Sequence, residues 1–406
     1  MKHIWKKTAA FAAAAVMTAA LAIPAVTAGA SDMWADFLDE ATFTKEIVVQ
    51  AEEATGTVYA PVVTYSYAIS PCAEADVTGK TIKDSTGNIV GVKPGDTGLL
   101  TIGEDNTATF SGTATLSSGI AKFSDTVGVT LDSTFNTPGV YRYKVTETSE
   151  PADLASVGIA RPADYDDTRY IDVYVNSSGP YGIVMFASGE PGDQVTADGT
   201  QKSVGFTDTS NVTEDSGIDP TSGLADVYFL YNYTVTKKVE NDALTTPPKF
   251  NFAITVNGET GQKFDNNKDI GSTVSAELGN GDSVTIKNIP ANATISVSET
   301  NPNAATYEVS AKDGDATIAL NATSIAKDAT AQFENAEKLS NIDTAADASA
   351  VEAVLNETIF TNKQVDISVT GVLFMVAPFV LMIGAAAFLA AVVIRSRKRE
   401  ASENII

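Results

Sequence analysis

An all-β chain is predicted from three observations. Short stretches rich in Val, Thr, Tyr and Phe alternate apolar and polar residues: "PVVTYSYAIS", "GVYRYKVTET", "RYIDVYVNSS", "YGIVMFAS", "VYFLYNYTVTKKV", "KFNFAITVNG", "DSVTIKNIP", "ATISVSET" and "TYEVSAK", the period-2 signature of half-buried strands. Turn signals such as "KPGD", "TPGV", "NGET" and "GNGD" separate them. No long 3.6-residue period competes, and only "DASAVEAVLNE" reads as a short helix. Packed face to face, such strands make β-sandwiches, and the length between the terminal segments suggests two of them.

The first 30 residues stand apart from this pattern. A basic start (Lys2, Lys6, Lys7), an Ala-rich apolar core and Ala28-Gly29-Ala30 read as a secretory signal peptide, so the mature chain is expected to begin near Ser31. At the other end, the 23 uncharged residues 372–394 are followed by Arg395, Arg397, Lys398 and Arg399. About 20 apolar residues suffice to cross a hydrocarbon core as a helix, and the basic residues 395–406 behind them would stay in the cytoplasm. The expected setting is therefore the outer face of a cell, with 372–394 in the membrane.

Composition removes several kinds of chemistry. Residues 31–370 hold 20 basic and 49 acidic residues, a net charge near −29, which repels nucleic acid and anionic lipid. The single histidine, His3, leaves with the signal peptide, and Cys72 is the single cysteine. No intrachain disulfide can form, and Ser-His, Cys-His and His-ligated zinc sites are excluded. No metal or cofactor is expected. A carboxylate-only hydrolase remains open, although no Asp/Glu pair stands out from the acidic background.

Two ordered sets of motifs carry a narrower reading. "FTKEIVV" at Phe43 and "VTKKVEN" at Val235 share a hydrophobic-Thr-Lys-x-hydrophobic frame, and a proline and an alternating strand follow each ("APVVTYSYAI", "PPKFNFAITV"). Later, "YRYKVTETSE" and "ATISVSETNP" both end a strand in Val-x-Glu-Thr, and "YFLYNYTV" and "TIFTNKQV" are aromatic strands carrying an Asn. Lysine early, glutamate in the middle and asparagine last resembles the intramolecular isopeptide domains of Gram-positive backbone pilins of the T-antigen type, which are Ig-like sandwiches. The resemblance implies an N-terminal sandwich over 31–234 with Lys45, Glu147 and Asn232, and a C-terminal sandwich over 235–366 with Lys237, Glu299 and Asn362. Asn335 in "AQFENAEK" is the rival to Asn362. Glu147 and Glu299 would be the acids that assist each Lys–Asn amide. The five-residue gap between Asn232 and Lys237 would send them to opposite faces of one strand, one residue for each core.

The end of the chain fits the same family. Ile367-Ser368-Val369-Thr370-Gly371, followed by an apolar span and a basic tail, is similar to the LPxTG box at which a sortase cleaves between Thr and Gly, with Ser368 standing where the family has Pro. The resemblance thus implies a cell-wall-anchored backbone pilin. Its partners would be sortase, neighbouring pilin subunits or peptidoglycan, and a host surface ligand. Lys202 in "DGTQKSVGF" is the candidate polymerisation acceptor. A monomeric adhesin or stalk with the same domains is the alternative.

Overall fold

In the computed structural model, residues 41–365 are described except 84–87, 104–105, 133, 163–164, 187–202, 204, 208–224, 241–247, 343–350 and 354. The chain is all-β, arranged as two sandwiches. The nine stretches picked out above are strands, from Thr64–Pro71 to Tyr307–Asp313. In the first sandwich, one sheet runs in the order Thr55–Tyr59, Thr113–Ser117, Ile120–Leu131, Thr42–Ala51, Asp226–Glu240. The facing sheet runs Gly179–Phe186, Thr168–Asn176, Gly139–Glu150, Thr64–Pro71, Thr107–Thr109. Phe43, Ile47 and Val49 from one sheet meet Tyr65, Tyr143 and Val145 from the other in a single apolar core.

The long strand Asp226–Glu240 belongs to both sandwiches. Its first half pairs in parallel with Thr42–Ala51, and its second half pairs in parallel with Glu357–Gln364. Beyond it, Tyr307–Asp313 continues the second sandwich's sheet, and Phe250–Asn257 with Thr294–Thr300 forms the opposing one. Side chains on this shared strand divide by parity. Asp226, Tyr228 and Leu230 are buried towards the first core, whereas Tyr233, Val235, Lys237 and Val239 are buried in the second. Even and odd positions of a strand face opposite ways, so one strand serves two cores without a linker between them. The partner strand Ser283–Pro290 absorbs the register shift between Tyr231 and Tyr233, with Asn288 at φ +55°.

The structure departs from the sequence reading at two elements. "DASAVEAVLNE" is not helical where described: Val351–Ala353 is a strand paired with Ser340–Ile342. Leu339 and Ser340 in "EKLSNIDTAADAS", and Ala225 and Asp226 at the end of "SGIDPTSGLAD", are buried. The 12-residue strand Ile120–Leu131 was missed because Ser, Asp and Thr dilute its alternation, yet it flanks the Lys45 strand along nine positions. The signal peptide, Lys202, residues 367–371, the span 372–394 and the basic tail lie outside the described residues. No helix among the described residues is long and apolar enough to cross a membrane.

Candidate cross-linking centres

Each sandwich buries one lysine amid aromatic rings. Lys237 shares its face with Tyr233, Val235 and Val239 and is fully buried. From the opposing sheet comes Glu299, in line with Ile295 and Val297, and from the last strand comes Asn362, in line with Phe360. The Asn362 Nδ2 donates to Glu299 Oε1 at 2.6 Å. The Lys237 Nζ lies 2.9 Å from the same oxygen, but off the hydrogen-bonding direction, and stands 4.5 Å above the Phe250 ring. Asn335, the rival acceptor, is exposed in the turn after Thr330–Gln332.

Burial sets the protonation states here. Removing Lys237 from water penalises its charged form, Glu299 offsets this only in part, and its pKa falls to about 8. On the order of a tenth of it is then a neutral amine at pH 7. Burial likewise raises Glu299, against the pull of Lys237. A lysine drawn towards its neutral amine, a carboxyl drawn towards its protonated form and a side-chain amide are thereby gathered in one dry pocket.

The first centre contains Lys45 and Glu147 but not Asn232. Lys45 is fully buried, and its Nζ donates to Glu147 at 3.2 Å, to Asp226 Oδ2 at 2.8 Å and to the Tyr165 hydroxyl at 2.8 Å. Register shows that Asp226 holds the position Asn362 holds in the second centre. Ile47, two residues after Lys45, pairs with Asp226, and Val239, two residues after Lys237, pairs with Asn362, both in parallel. The acids match as well: Glu147 pairs with Tyr67, and Glu299 with Phe252. Asp226 and Asn232 are both even-numbered, so the parity argument named the right face but a residue six positions too late.

Asn232 instead sits at the junction of the sandwiches. Its backbone N–H donates to Glu52, its Nδ2 donates to Glu53, and its Oδ1 accepts from the Asn288 backbone N–H. Gln262 and Asn292 reach from the second sandwich to the Val157 and Ala155 carbonyls of the first. Asn232→Ala is therefore expected to leave the mass deficit relative to the variant's own sequence as in the wild type and to cost about 1 kcal/mol, a typical value for lost partly exposed hydrogen bonds; calorimetry with intact mass spectrometry checks both.

Sequence reasoning also missed Arg161 and Tyr165. Arg161 Nε and Nη2 fork onto Asp226 at 2.7 and 2.8 Å, and Nη2 also donates to Glu147 Oε1 at 2.7 Å. The Tyr165 and Tyr67 hydroxyls donate to Glu147 at 2.6 and 2.9 Å. Burial alone would raise Asp226, but Lys45 and Arg161 outweigh it and hold the carboxyl well below the usual range. Burial and the neighbouring carboxylates push the Tyr165 hydroxyl far up, so it stays a proton donor. Arg161 lies in "VGIARPADYDD", where its one signal is a lone cation between apolar and acidic residues.

Similarity to known proteins was found at the level of one domain model and of solved structures. Residues 231–337 match a family described as a domain of unknown function (DUF7601). No curated protein matches the chain. The chain is similar to the major pilin protein T-13 of Streptococcus pyogenes, at 16% identity and TM-score 0.40 over 80% of this chain and 97% of that one. It is similar to another major pilin of the same species, at 17% identity and TM-score 0.40 over 80% and 99%. A Mobiluncus mulieris adhesin containing intramolecular disulfide, isopeptide and ester bond cross-links aligns at 11% identity and TM-score 0.24 over 80% and 97%.

Proposed function

We propose that this chain is an exported structural protein of the cell surface whose second sandwich locks itself with an amide between Lys237 and Asn362. One observation carries the reading: Lys237, Glu299 and Asn362, from the first, a middle and the last strand of that sandwich, are all buried, and one Glu299 oxygen lies against both the Lys237 amine and the Asn362 amide. The neutral Lys237 amine attacks Asn362 Cγ, Glu299 takes up the proton that the amine nitrogen gives off, and Glu299 delivers a proton to the departing Nδ2, to which it is hydrogen-bonded. A C–N bond forms, the Asn362 Cγ–Nδ2 bond breaks, and ammonia leaves. The reaction occurs once per chain, so the protein is not a turnover enzyme. Lys237 and Asn362 lie on adjacent parallel strands, and their amide closes a loop of about 125 residues, which lowers the entropy of the unfolded chain as a disulfide does. Mass spectrometry of the digested protein should find a Lys237–Asn362 linked peptide, about 17 Da lighter than its two parts together. Free peptides only would overturn the proposal.

The finer part of the proposal is a backbone pilin, cleaved by sortase between Thr370 and Gly371 and joined to a neighbouring subunit or to peptidoglycan. The box 367–371 ahead of an apolar span and a basic tail supports it. Cell-wall extracts blotted after boiling in sodium dodecyl sulfate are expected to show a ladder that collapses to a single band in Thr370→Ala and in Lys202→Ala. A single band in the wild type would mark a monomeric anchored adhesin or stalk instead, and a ladder surviving in Lys202→Ala would move the acceptor to another lysine.

A further inference from the structure

The two centres share a register but not a chemistry. Where the second places Phe250 and Phe252 around its lysine, the first places Tyr65 and Tyr67, with Lys45 Nζ 4.1 Å above the Tyr65 ring and the Tyr67 hydroxyl on Glu147. Its acceptor is a carboxylate, Asp226, rather than an amide. It also holds a second cation, Arg161, which has no counterpart among the groups contacting Lys237, Glu299 or Asn362 in the described residues. We propose that Arg161 decides the fate of the first centre, keeping it an ionic clasp of Lys45, Arg161, Glu147 and Asp226 rather than letting Lys45 and Asp226 condense.

Charge counting gives the reason. The second centre has one cation and one anion, so moving a single proton from Lys237 to Glu299 makes every group neutral and the amine reactive. The first centre has two cations and two anions. Moving the Lys45 proton to Glu147 frees the amine but leaves Arg161 paired with an ionised Asp226, and a carboxylate resists amine attack. Moving it to Asp226 instead gives up the charge on both bonds of the Arg161 fork, the strong charge-assisted kind. Removing Arg161 leaves one cation for two buried carboxylates, and one of them takes a proton from solvent. Proton transfer from Lys45 to the other then gives an amine facing two carboxylic acids. Condensation follows: the Lys45 Nζ–Asp226 Cγ bond forms, a C–O bond breaks, and water leaves with Glu147 as proton carrier.

The inference rests on the reading of Lys237–Asn362 as an amide-forming pair, and peptide mapping of the whole protein keeps the two apart. In the wild type, Lys237 is expected joined to Asn362 and Lys45 in an unlinked peptide. In Arg161→Gln, a Lys45–Asp226 link is expected, about 18 Da lighter than its parts. Asp226→Asn offers a second route: its side chain cannot ionise, so it should link to Lys45 with loss of about 17 Da. A Lys45–Asp226 link in the wild type overturns the role of Arg161. So does an unlinked Lys45 in Arg161→Gln that retains the Lys237–Asn362 link and native circular dichroism. If Arg161→Gln does not fold, an unlinked Lys45 in folded Asp226→Asn overturns it equally. Absence of the Lys237–Asn362 link in the wild type counts against the second centre alone.

Discussion

Glu299→Ala is expected to produce the largest loss of stability of any single substitution in this protein. It removes the acid that carries the proton, so the Lys237–Asn362 amide does not form and the ammonia is retained. Two costs then add. The cross-link closes a loop of about 125 residues, for which the chain-entropy estimate is about 4–5 kcal/mol. In addition, Lys237, fully buried and otherwise facing Phe250 and Phe252, loses its only ion-pair partner among the described residues. Together these should lower the melting midpoint of the second sandwich by roughly 15–25 °C for a domain of this size. Intact mass and calorimetry on the same sample read both effects. Asn362→Ala should match it in retaining the ammonia, while Asn335→Ala should match the wild type in its mass deficit relative to its own sequence and in midpoint. Glu299→Ala protein that still lacks the 17 Da would show that another group assists the reaction.

The second large effect belongs to Asp226. Substitution by Ala strands Lys45 and Arg161 beside Glu147 alone, and breaking a buried ion pair by removing one partner costs about 3–5 kcal/mol. The first sandwich should then melt well before the second, splitting the calorimetric trace. Acid should do the same to the wild type. The folded pKa of Asp226 is depressed by Lys45 and Arg161 despite burial. Its contribution to stability is therefore complete above the unfolded value of about 3.9 and is lost as the pH falls from there through the folded value. The amide proposed for the second sandwich does not titrate in this range. On acidification the first transition should move down while the second stays cross-linked, and Asp226→Ala should flatten the acid dependence of the first. Equal acid shifts in wild type and Asp226→Ala would remove the ionic clasp from the account.

Much of this molecule is legible in its amino-acid sequence. Alternation along nine stretches located strands, because a sandwich strand presents one face to a core and the other to water, which writes a period of two into the sequence. Lys45, Lys237, Glu147 and Glu299 were legible because each repeats a local frame on such a strand. Strand Ile120–Leu131 was not, since its alternating positions hold Ser, Asp and Thr and lie beside a neighbour 70 or more residues away. Asp226 was hidden for a related reason. It opens a strand at the end of a loop-like sequence, and only its parallel pairing with Ile47 reveals it as the counterpart of Asn362. Arg161 carries no periodic signal, because it reaches the centre from just past the two-residue strand Ile159–Ala160, outside the alternation of any long strand. By itself, then, the sequence determined the β class and the residues whose neighbours along the chain share their environment. The tertiary structure decided which acceptor each lysine meets and that a second cation enters one centre only, since the first depends on strand register and on contacts more than a hundred positions apart in the chain, and the second on a side chain that reaches Asp226 across 65 positions from outside any long strand.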